Sequence, residues 1–168
     1  YNRSWGFAPI ARFQHASLIY NPFAGKLARH PDLLHKAAAL LQPLAASVDL
    51  VPTEGPSTAG RQAAGCAAAG SDLILAAGGD GTLNEIIQGL AGSDTCLGIL
   101  PAGTANVLAV ETRIGTDFLR AAREMKDFDD RRIALGRFQR AADPPRYFAV
   151  MAGAGLDAQI VRRVSSPF

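Results

Sequence analysis

The sequence predicts a mixed α/β fold, a three-layer α/β/α domain with a parallel core sheet, and three observations lead to it. Strand and helix patterns alternate along the first 128 residues, as they do where β-α-β units build a parallel sheet. The apolar runs 73–77 and 96–100 carry no charge, which suits strands buried on both faces. With 168 residues, of which 48% are hydrophobic and 19% charged, the chain is long enough to bury one good core.

The elements follow from local patterns, taken in order along the chain. The stretch 31–46 repeats apolar residues at helical spacing, with Leu33, Leu40 and Leu44 on one face. Ser57 is a suitable N-cap for an alanine-rich helix, which Gly70 ends. The predicted strands are 16–20, 47–51, 72–77 and 96–100, and the predicted helices are 31–46, 57–69, 82–90, 104–110 and 117–125.

The pattern changes after residue 130. Two predicted strands, 132–138 and 146–151, are joined by a polar turn that contains proline. About 38 residues are too few to bury a core of their own. The predicted organisation is therefore a leader at residues 1–13 that lies outside the fold, an α/β domain at 14–128, and part of a second, β-rich domain at 129–168.

Composition argues against several classes of protein. No apolar run approaches the roughly 20 residues needed to span a bilayer. Residues 1–13 lack the basic start and apolar stretch of a signal peptide. Cys66 and Cys96 have no metal-ligand spacing, which favours small core residues in a reducing cytosol. These features predict a cytoplasmic protein.

Charge is unevenly distributed along a chain whose net charge is +2. Residues 1–119 hold seven Lys/Arg and nine Asp/Glu, whereas residues 120–168 hold ten and six. The basic C-terminal part is either an ordinary solvated surface or a surface attracted to an anionic membrane, which would make the protein peripheral to that membrane. Basic and aromatic residues do not interleave, so no nucleic-acid partner is predicted. The oligomeric state stays open.

Three loops rich in glycine or proline follow predicted strands, at 21–26, 78–82 and 101–106. Because the carboxyl ends of parallel strands meet at one edge of a sheet, the loops should converge there, where such sheets bind ligands. Glycine lets the backbone approach a ligand closely, and N–H groups at a helix start attract anions. A phosphate is the expected ligand, although the residue order matches neither G-x-x-x-x-G-K-[ST] nor G-x-G-x-x-G.

Asp80 lies between Gly79 and Gly81, directly after the most apolar predicted strand. A carboxylate beside bound phosphates requires a cation or a reacting hydroxyl between them, and Mg²⁺ is the usual cation. Asp80 is therefore the candidate catalytic residue and metal ligand. The alternative is an aspartate that only forms a turn, since Asp-Gly is common in turns.

Thr82 and Glu85 form a T-x-x-E pattern that has two interpretations. One is a capping box, in which each side chain satisfies an unpaired N–H at the helix start. The other places the Thr82 hydroxyl on a phosphate and Glu85 near the nucleotide. Asn84 is harder to explain by capping and is expected to face the ligand.

The remaining candidates also carry two interpretations each. Gly103 allows close approach, and Thr104 either caps its helix or binds phosphate. Thr53, just after the second strand, is either a nucleotide contact or an ordinary loop threonine. Lys26 either meets a phosphate or is solvated, and the solvated interpretation is preferred because lysine is mostly exposed.

These motifs resemble, in the same order, those of the diacylglycerol kinase catalytic domain family, which includes soluble bacterial lipid kinases. NPFAG at 21–25 is similar to N-P-x-[SA]-G, GGDGTLNE at 78–85 to G-G-D-G-T-x-N-E, and LPAGTANVLA at 100–109 to P-x-G-T-x-N-x-x-A. RRIALG at 131–136 and residues 148–158 resemble the opening strands of the family's second domain. The resemblance covers about residues 16–163.

The resemblance implies ATP and Mg²⁺ as cofactors and a lipid hydroxyl at a membrane surface as the acceptor, with diacylglycerol converted to phosphatidic acid. It also implies a nucleotide-binding domain of the NAD kinase and diacylglycerol kinase type, followed by the beginning of a β-sandwich domain for the lipid. The residues that it implies as nucleotide contacts are Asn21, Pro22, Phe23, Ala24, Gly25, Thr53, Gly78, Gly79, Asp80, Gly81, Thr82, Leu83, Asn84, Glu85, Gly103, Thr104 and Asn106.

Family members continue beyond the point that corresponds to residue 168, and their proposed general base is a glutamate in that part. The chain is therefore expected to be a fragment that lacks the base and has little activity alone. A phosphotransferase similar to NAD kinase, which shares GGDGT, is the rival enzyme, and a catalytically inactive nucleotide-binding module is the other alternative. Sphingosine and ceramide remain open as acceptors.

Overall fold

The computed structural model describes residues 11–152 of the chain. Its core is a sheet of four parallel strands in the order β2-β1-β3-β4. The predicted parallel α/β fold is thus confirmed, with β3 buried at every position. The strands are β1 (Phe13–Tyr20), β2 (Ala45–Pro52), β3 (Leu73–Gly78) and β4 (Cys96–Pro101).

Helices cover both faces of this sheet, because successive side chains of a strand point to opposite faces. On one face, Leu18 and Leu75 pack with α1 (Gly25–Arg29), α2 (Leu33–Leu41) and α6 (Phe118–Glu124). On the other face, Ile19 and Ile74 pack with α3 (Ala59–Ala68), α4 (Asp80–Leu90) and α5 (Val107–Glu111).

Several predicted helix boundaries were wrong. The predicted helix 31–46 ends at Leu41, and Ala45 already belongs to β2, because Pro43 lacks the N–H that a continuing helix needs. The short helix α1 was not predicted. Helix α5 begins at Val107 rather than at 104, and α4 begins at Asp80 rather than at 82. The last three residues of GGDGT therefore form the first turn of α4, whereas Gly78 ends β3 and Gly79 is the N-cap.

The predicted N-cap of α3 was also wrong. Thr58 occupies that position, and Ser57 adopts a left-handed conformation with φ of 62°. At the other end of α3, Gly70 has φ of 104°, which agrees with its predicted role of ending the helix.

The predicted strands after residue 130 are much shorter than expected. A 3₁₀ turn (Met125–Asp127) ends the α/β part, and β5 (Gly136–Phe138) pairs antiparallel with β6 (Arg146–Phe148). Gly136 lies opposite Phe148, and a side chain at 136 would collide with that aromatic ring. The predictions for the leader up to residue 10 and for residues 153–168 lie outside the described residues. Within residues 11–152, no helix is long and apolar enough to cross a membrane.

Helices α3 and α4 cross at unusually short range, where Gly60 faces Gly89. A Cβ added to Gly89 would lie 2.0 Å from the carbonyl oxygen of Gly60, which is backbone and cannot rotate away. The crossing therefore requires glycine at position 89 for packing, independently of any ligand.

We expect Gly89→Ala to destabilise the protein by about 1–3 kcal/mol, because the added methyl forces the two helices apart. Urea denaturation measures the change. Gly65→Ala is the matched control, since Gly65 lies exposed in α3 and a Cβ added there would meet nothing within 4 Å. The control should gain up to about 1 kcal/mol from helix propensity. Equal stability of the two variants would contradict the close crossing.

Candidate functional site

Hydrogen bonds join the three predicted loops at the carboxyl edge of the sheet. The Asn21 N–H donates to the Ala77 carbonyl at 3.0 Å, and the Ala102 N–H donates to the Gly78 carbonyl at 2.9 Å. The Lys26 N–H donates to the Ala102 carbonyl at 3.2 Å. The structure therefore brings the NPFAG, GGDGT and PAGTAN segments together.

The glycines of these loops serve two different purposes. A Cβ on Gly103 would lie 2.4 Å from the Gly79 Cα, and a Cβ on Gly78 would lie 2.6 Å from the Thr82 Cβ. These glycines let two backbones and one side chain pack closely together. Gly81 differs, because it is exposed and a Cβ added there would meet nothing within 4 Å. Of the four GGDGT and PAGTAN glycines, Gly81 is the one that faces open space.

The Asp80 carboxylate connects two of the loops. It accepts a hydrogen bond from the Asn106 N–H at 2.9 Å and another from the Val107 N–H at 2.7 Å, one on each oxygen. The side chain thus caps the start of α5 and is held in one orientation. Because a carboxylate oxygen has two lone pairs, each oxygen can still accept a donor or bind a cation. The interpretation of Asp80 as a simple turn former is wrong, since it is the first residue of α4.

Asn106, predicted as a nucleotide contact, is buried and bonded within its own loop. Its Oδ1 accepts from the Gly103 N–H at 3.0 Å, and its Nδ2 donates to the Gly103 carbonyl at 2.9 Å. Its left-handed conformation, with φ of 52°, is one that asparagine tolerates. Its role in this structure is to fold the loop. Thr104 is exposed and lies three residues before α5, so the prediction that it caps this helix was wrong.

The capping-box interpretation of Thr82 and Glu85 was also wrong. Thr82 is the third residue of α4, and Gly79 occupies the N-cap position. Glu85 instead caps a different helix. Its carboxylate accepts from the Ser57 N–H at 2.9 Å and from the Ala59 N–H at 3.1 Å, at the start of α3. Glu85 therefore ties α4 to the loop that follows β2, where Thr53 lies.

We expect Glu85→Ala to destabilise the protein by about 0.5–2 kcal/mol, because α3 loses its cap. Glu85→Gln should lose less, since its amide oxygen still accepts one of the two N–H groups. Thermal unfolding of the two variants, compared with the wild type, measures the difference. An unchanged melting temperature in the Ala variant would show that the carboxylate bonds to Ser57 and Ala59 contribute nothing.

The first loop is built around Asn21. Its Oδ1 accepts from the Phe23 N–H at 2.9 Å, and its carbonyl accepts from the Ala24 N–H at 3.0 Å. Pro22 is half-buried, Ala24 is buried, and Phe23 projects into solvent with 86% of its surface exposed. Gly25 is exposed at the start of α1.

Lys26 is not the solvated residue that was predicted. Its Nζ donates to the Pro101 carbonyl at 3.1 Å and also to the Thr116 carbonyl, which joins the first loop to the end of β4. No sequence signal pointed to this role, because both acceptors are backbone oxygens at least 75 residues away.

The remaining candidate residues, Leu83, Asn84 and Thr53, differ in burial and in hydrogen-bond partners. Leu83 is 6% exposed and packs in the apolar cluster between the sheet and α4, so its side chain belongs to the core. Asn84 is half-buried beside Gln88, whose Nε2 lies 3.3 Å from its Oδ1. The Thr53 N–H donates to the Tyr20 carbonyl at 2.8 Å, and Thr53 is half-buried.

A small cavity lies beneath the GGDGT and PAGTAN loops. This cavity of about 10 Å³, lined by Asp80, Leu83 and Asn106 among others, has room for about one water molecule. Across residues 11–152, no group of three or more His, Cys, Asp or Glu side chains forms a metal cage.

Fold and site together define a class: an α/β domain whose glycine-rich backbone loops meet at the carboxyl edge of a parallel sheet, where such domains bind ligands. Comparison with known proteins identifies the family. Residues 15–138 match the family model described as the diacylglycerol kinase catalytic domain. This chain belongs to that family.

Individual relatives agree with this assignment. The chain is 33% identical over 150 residues to a diacylglycerol kinase of Staphylococcus saprophyticus, covering 86% of this chain and 46% of the relative. It is 34% identical over 158 residues to a diacylglycerol kinase of Bacillus subtilis, covering 90% and 49%. A crystal structure of a diacylglycerol kinase from Bacillus anthracis aligns with a TM-score of 0.61 at 28% identity, covering 70% of this chain and 41% of that one. The chain thus spans about half the length of the curated relatives it matches.

Proposed function

We propose that this chain is the nucleotide-binding part of an ATP-dependent lipid kinase. The observation that carries the proposal is the Asp80 carboxylate, which two backbone N–H groups hold between the GGDGT and PAGTAN loops. The relatives reported above are named diacylglycerol kinases, which supports the class of reaction.

The phosphates of ATP are proposed to lie over the first turn of α4. The first N–H groups of a helix lack intrahelical acceptors and carry partial positive charge, so they suit an anion. The helix is 11 residues long, and Gly81 in its first turn leaves open space on the exposed side. Thr82 and Thr104 supply hydroxyls nearby, and the exposed ring of Phe23 offers an apolar surface to the base.

The residues present suit Mg²⁺ held jointly with the nucleotide. A magnesium ion at a nucleotide site is commonly bound by one or two carboxylates together with phosphate oxygens and waters. Asp80 has the spare lone pairs for one such bond. The ion would neutralise charge on the phosphates, while the chain supplies the fixed orientation of the carboxylate.

The proposed reaction transfers the γ-phosphoryl group of ATP to the hydroxyl of diacylglycerol. The lipid oxygen bonds to the γ-phosphorus, the bond to the β–γ bridging oxygen breaks, and ADP and phosphatidic acid result. Such a transfer depends mainly on positioning and charge neutralisation. We assign no residue of 11–152 as the acceptor of the hydroxyl proton.

Other parts of the proposal concern the setting of the reaction. We propose residues 14–128 as the nucleotide-binding domain and residues 129–168 as part of the lipid-binding domain. The protein would work in the cytoplasm at the membrane surface, because its acceptor is a membrane lipid.

A binding experiment tests the nucleotide site. ATP with Mg²⁺ should slow amide hydrogen exchange at residues 79–82 and 103–104, and NAD should not compete with ATP. The control region is β2, which lies at the far edge of the sheet. Protection confined to other parts of the chain would overturn the assignment of the site.

A transfer assay tests the reaction. Labelled ATP is supplied to the full-length protein in mixed micelles that contain diacylglycerol, sphingosine or ceramide, and to a parallel reaction with NAD. Label in phosphatidic acid supports the proposal. Label in NADP alone would favour the NAD kinase alternative instead. Nucleotide binding without label in any acceptor would favour the alternative of a catalytically inactive nucleotide-binding module.

A further inference from the structure

The hairpin of β5 and β6 is joined to the α/β domain through the side chain of Gln88, in the last part of α4. Its Nε2 donates to the Tyr147 carbonyl at 2.8 Å, and its Oε1 accepts from the Tyr147 N–H at 2.7 Å. A neighbouring strand would supply the same two bonds. The primary amide of Gln88 therefore acts as a one-residue strand partner for β6.

The neighbouring groups hold the Gln88 amide in one orientation. The Nε2 group also approaches the Asn84 carbonyl at 3.0 Å, so both amide hydrogens have acceptors. Gln88 and Tyr147 are half-buried, and Tyr147 packs with Leu135 and Ala149 against the apolar cluster that includes α4. A two-stranded hairpin is marginal by itself, so this docking decides where the hairpin lies.

The other polar links to this segment are weaker anchors. Arg132 pairs with Asp94 at 2.8 Å, but their side chains are 94% and 88% exposed. Arg12 pairs with Asp130 at 2.7 Å, also at the surface. Exposed ion pairs contribute about 0–1 kcal/mol and allow several geometries. The paired amide bonds of Gln88 fix the register between α4 and β6, which an exposed ion pair cannot do.

We propose that Gln88 is a positioning residue for phosphoryl transfer, because it sets the distance between the GGDGT segment, where the phosphates are proposed to lie, and the hairpin. This inference rests on the proposed function. Asp80 begins α4 and Gln88 lies eight residues later, so the rigid helix separates the two by about 12 Å. The hairpin lies within residues 129–168, the part proposed above to bind the lipid, so the lipid side of the site is positioned from the same helix that begins with Asp80.

The choice of glutamine follows from its geometry. Asparagine is one methylene shorter, so its amide would fall short of Tyr147. Glutamate keeps an acceptor for the Tyr147 N–H but turns a second oxygen toward the Tyr147 carbonyl. A methionine has nearly the same length and leaves both backbone groups without their partner, which is costly in a half-buried setting.

Amide exchange tests the contact in this chain. We expect the Tyr147 amide to exchange about tenfold faster in Gln88→Met than in the wild type, because two hydrogen bonds are lost. Gln88→Glu should give a smaller acceleration. Gln42→Met is the matched control, since Gln42 is exposed at the end of α2 on the other face of the sheet. Unchanged exchange at Tyr147 in Gln88→Met would overturn the contact.

Kinetics of the full-length protein test the positioning role. Gln88→Met should lower kcat for diacylglycerol by about 10- to 100-fold, since small misplacements are costly in a positioned reaction. The ATP affinity should stay within about twofold, because one end of a helix is changed and the other end binds phosphate. A fall in ATP affinity as large as the fall in kcat would show a merely structural role, and unchanged kcat would also overturn the proposal. If the wild type binds no nucleotide, the proposed function and the positioning role both fail, whereas the exchange result still decides the contact.

Discussion

Asp80→Asn is expected to lower phosphoryl transfer by at least about 10²-fold, the loss typical of removing one preorganised electrostatic group. An amide carries no charge to hold Mg²⁺ beside the phosphates. The sharper readout is nucleotide affinity with and without Mg²⁺. Wild-type chain should bind ATP more tightly in the presence of the ion, and the variant should lose this difference. Isothermal titration in magnesium and in EDTA measures it.

The same substitution also touches the fold, because the carboxylate accepts from both Asn106 and Val107. Asparagine offers one oxygen for two N–H groups, so a loss of about 1–3 kcal/mol in the free energy of unfolding is expected. Assays therefore belong well below the melting temperature. Asp117→Asn is the matched control: Asp117 caps α6 by accepting from the Arg120 N–H at 2.9 Å. Full transfer by the Asp80 variant would remove Asp80 from the mechanism.

Gly103→Ala is expected to weaken both the fold and nucleotide binding. The new methyl would lie 2.4 Å from the Gly79 Cα, so the two loops must separate. We expect a loss of about 1–3 kcal/mol in stability, as for other overpacked sites, and a loss of at least about tenfold in ATP affinity as the phosphate loop shifts. Chemical denaturation and equilibrium titration measure the two effects on one preparation.

Gly81→Ala separates the two effects. Its new methyl would meet nothing within 4 Å, so the free energy of unfolding should be unchanged or slightly higher. ATP affinity should still fall, because the methyl occupies the space proposed for the phosphates. A variant that binds ATP as tightly as the wild type would show that the phosphates do not approach Gly81.

The central part of the fold was predictable because its signals are local. An uncharged apolar run, a glycine-rich turn and an amphipathic stretch together specify β3, its loop and α4 within 18 residues. The convergence of the three loops followed from topology, since parallel strands place their carboxyl ends at one edge. The predicted helix boundaries were wrong where one residue type suits two kinds of structure. Asp80 is an example, because it begins a helix where a turn was expected.

The side-chain partners could not be predicted for a different reason. Glu85 bonds to N–H groups 26 and 28 residues earlier, and Gln88 bonds to a strand 59 residues later. Spacing within a motif carries no information about such pairs, because they depend on how helices and strands pack. A local capping box was the simplest interpretation of Glu85. Because α3 and α4 cross closely, Glu85 caps the neighbouring helix α3 instead.

The bonds around Asp80 also impose an order in time on the formation of the site. The two amides that orient its carboxylate lie 26 and 27 residues downstream. At a synthesis rate of about 5–20 residues per second, roughly one to five seconds pass between the addition of Asp80 and that of its partners. A nascent chain that has reached the end of β4 has all four strands of the parallel sheet and an unoriented carboxylate. On the proposed function, ATP would begin to stabilise this domain only after that sheet is complete.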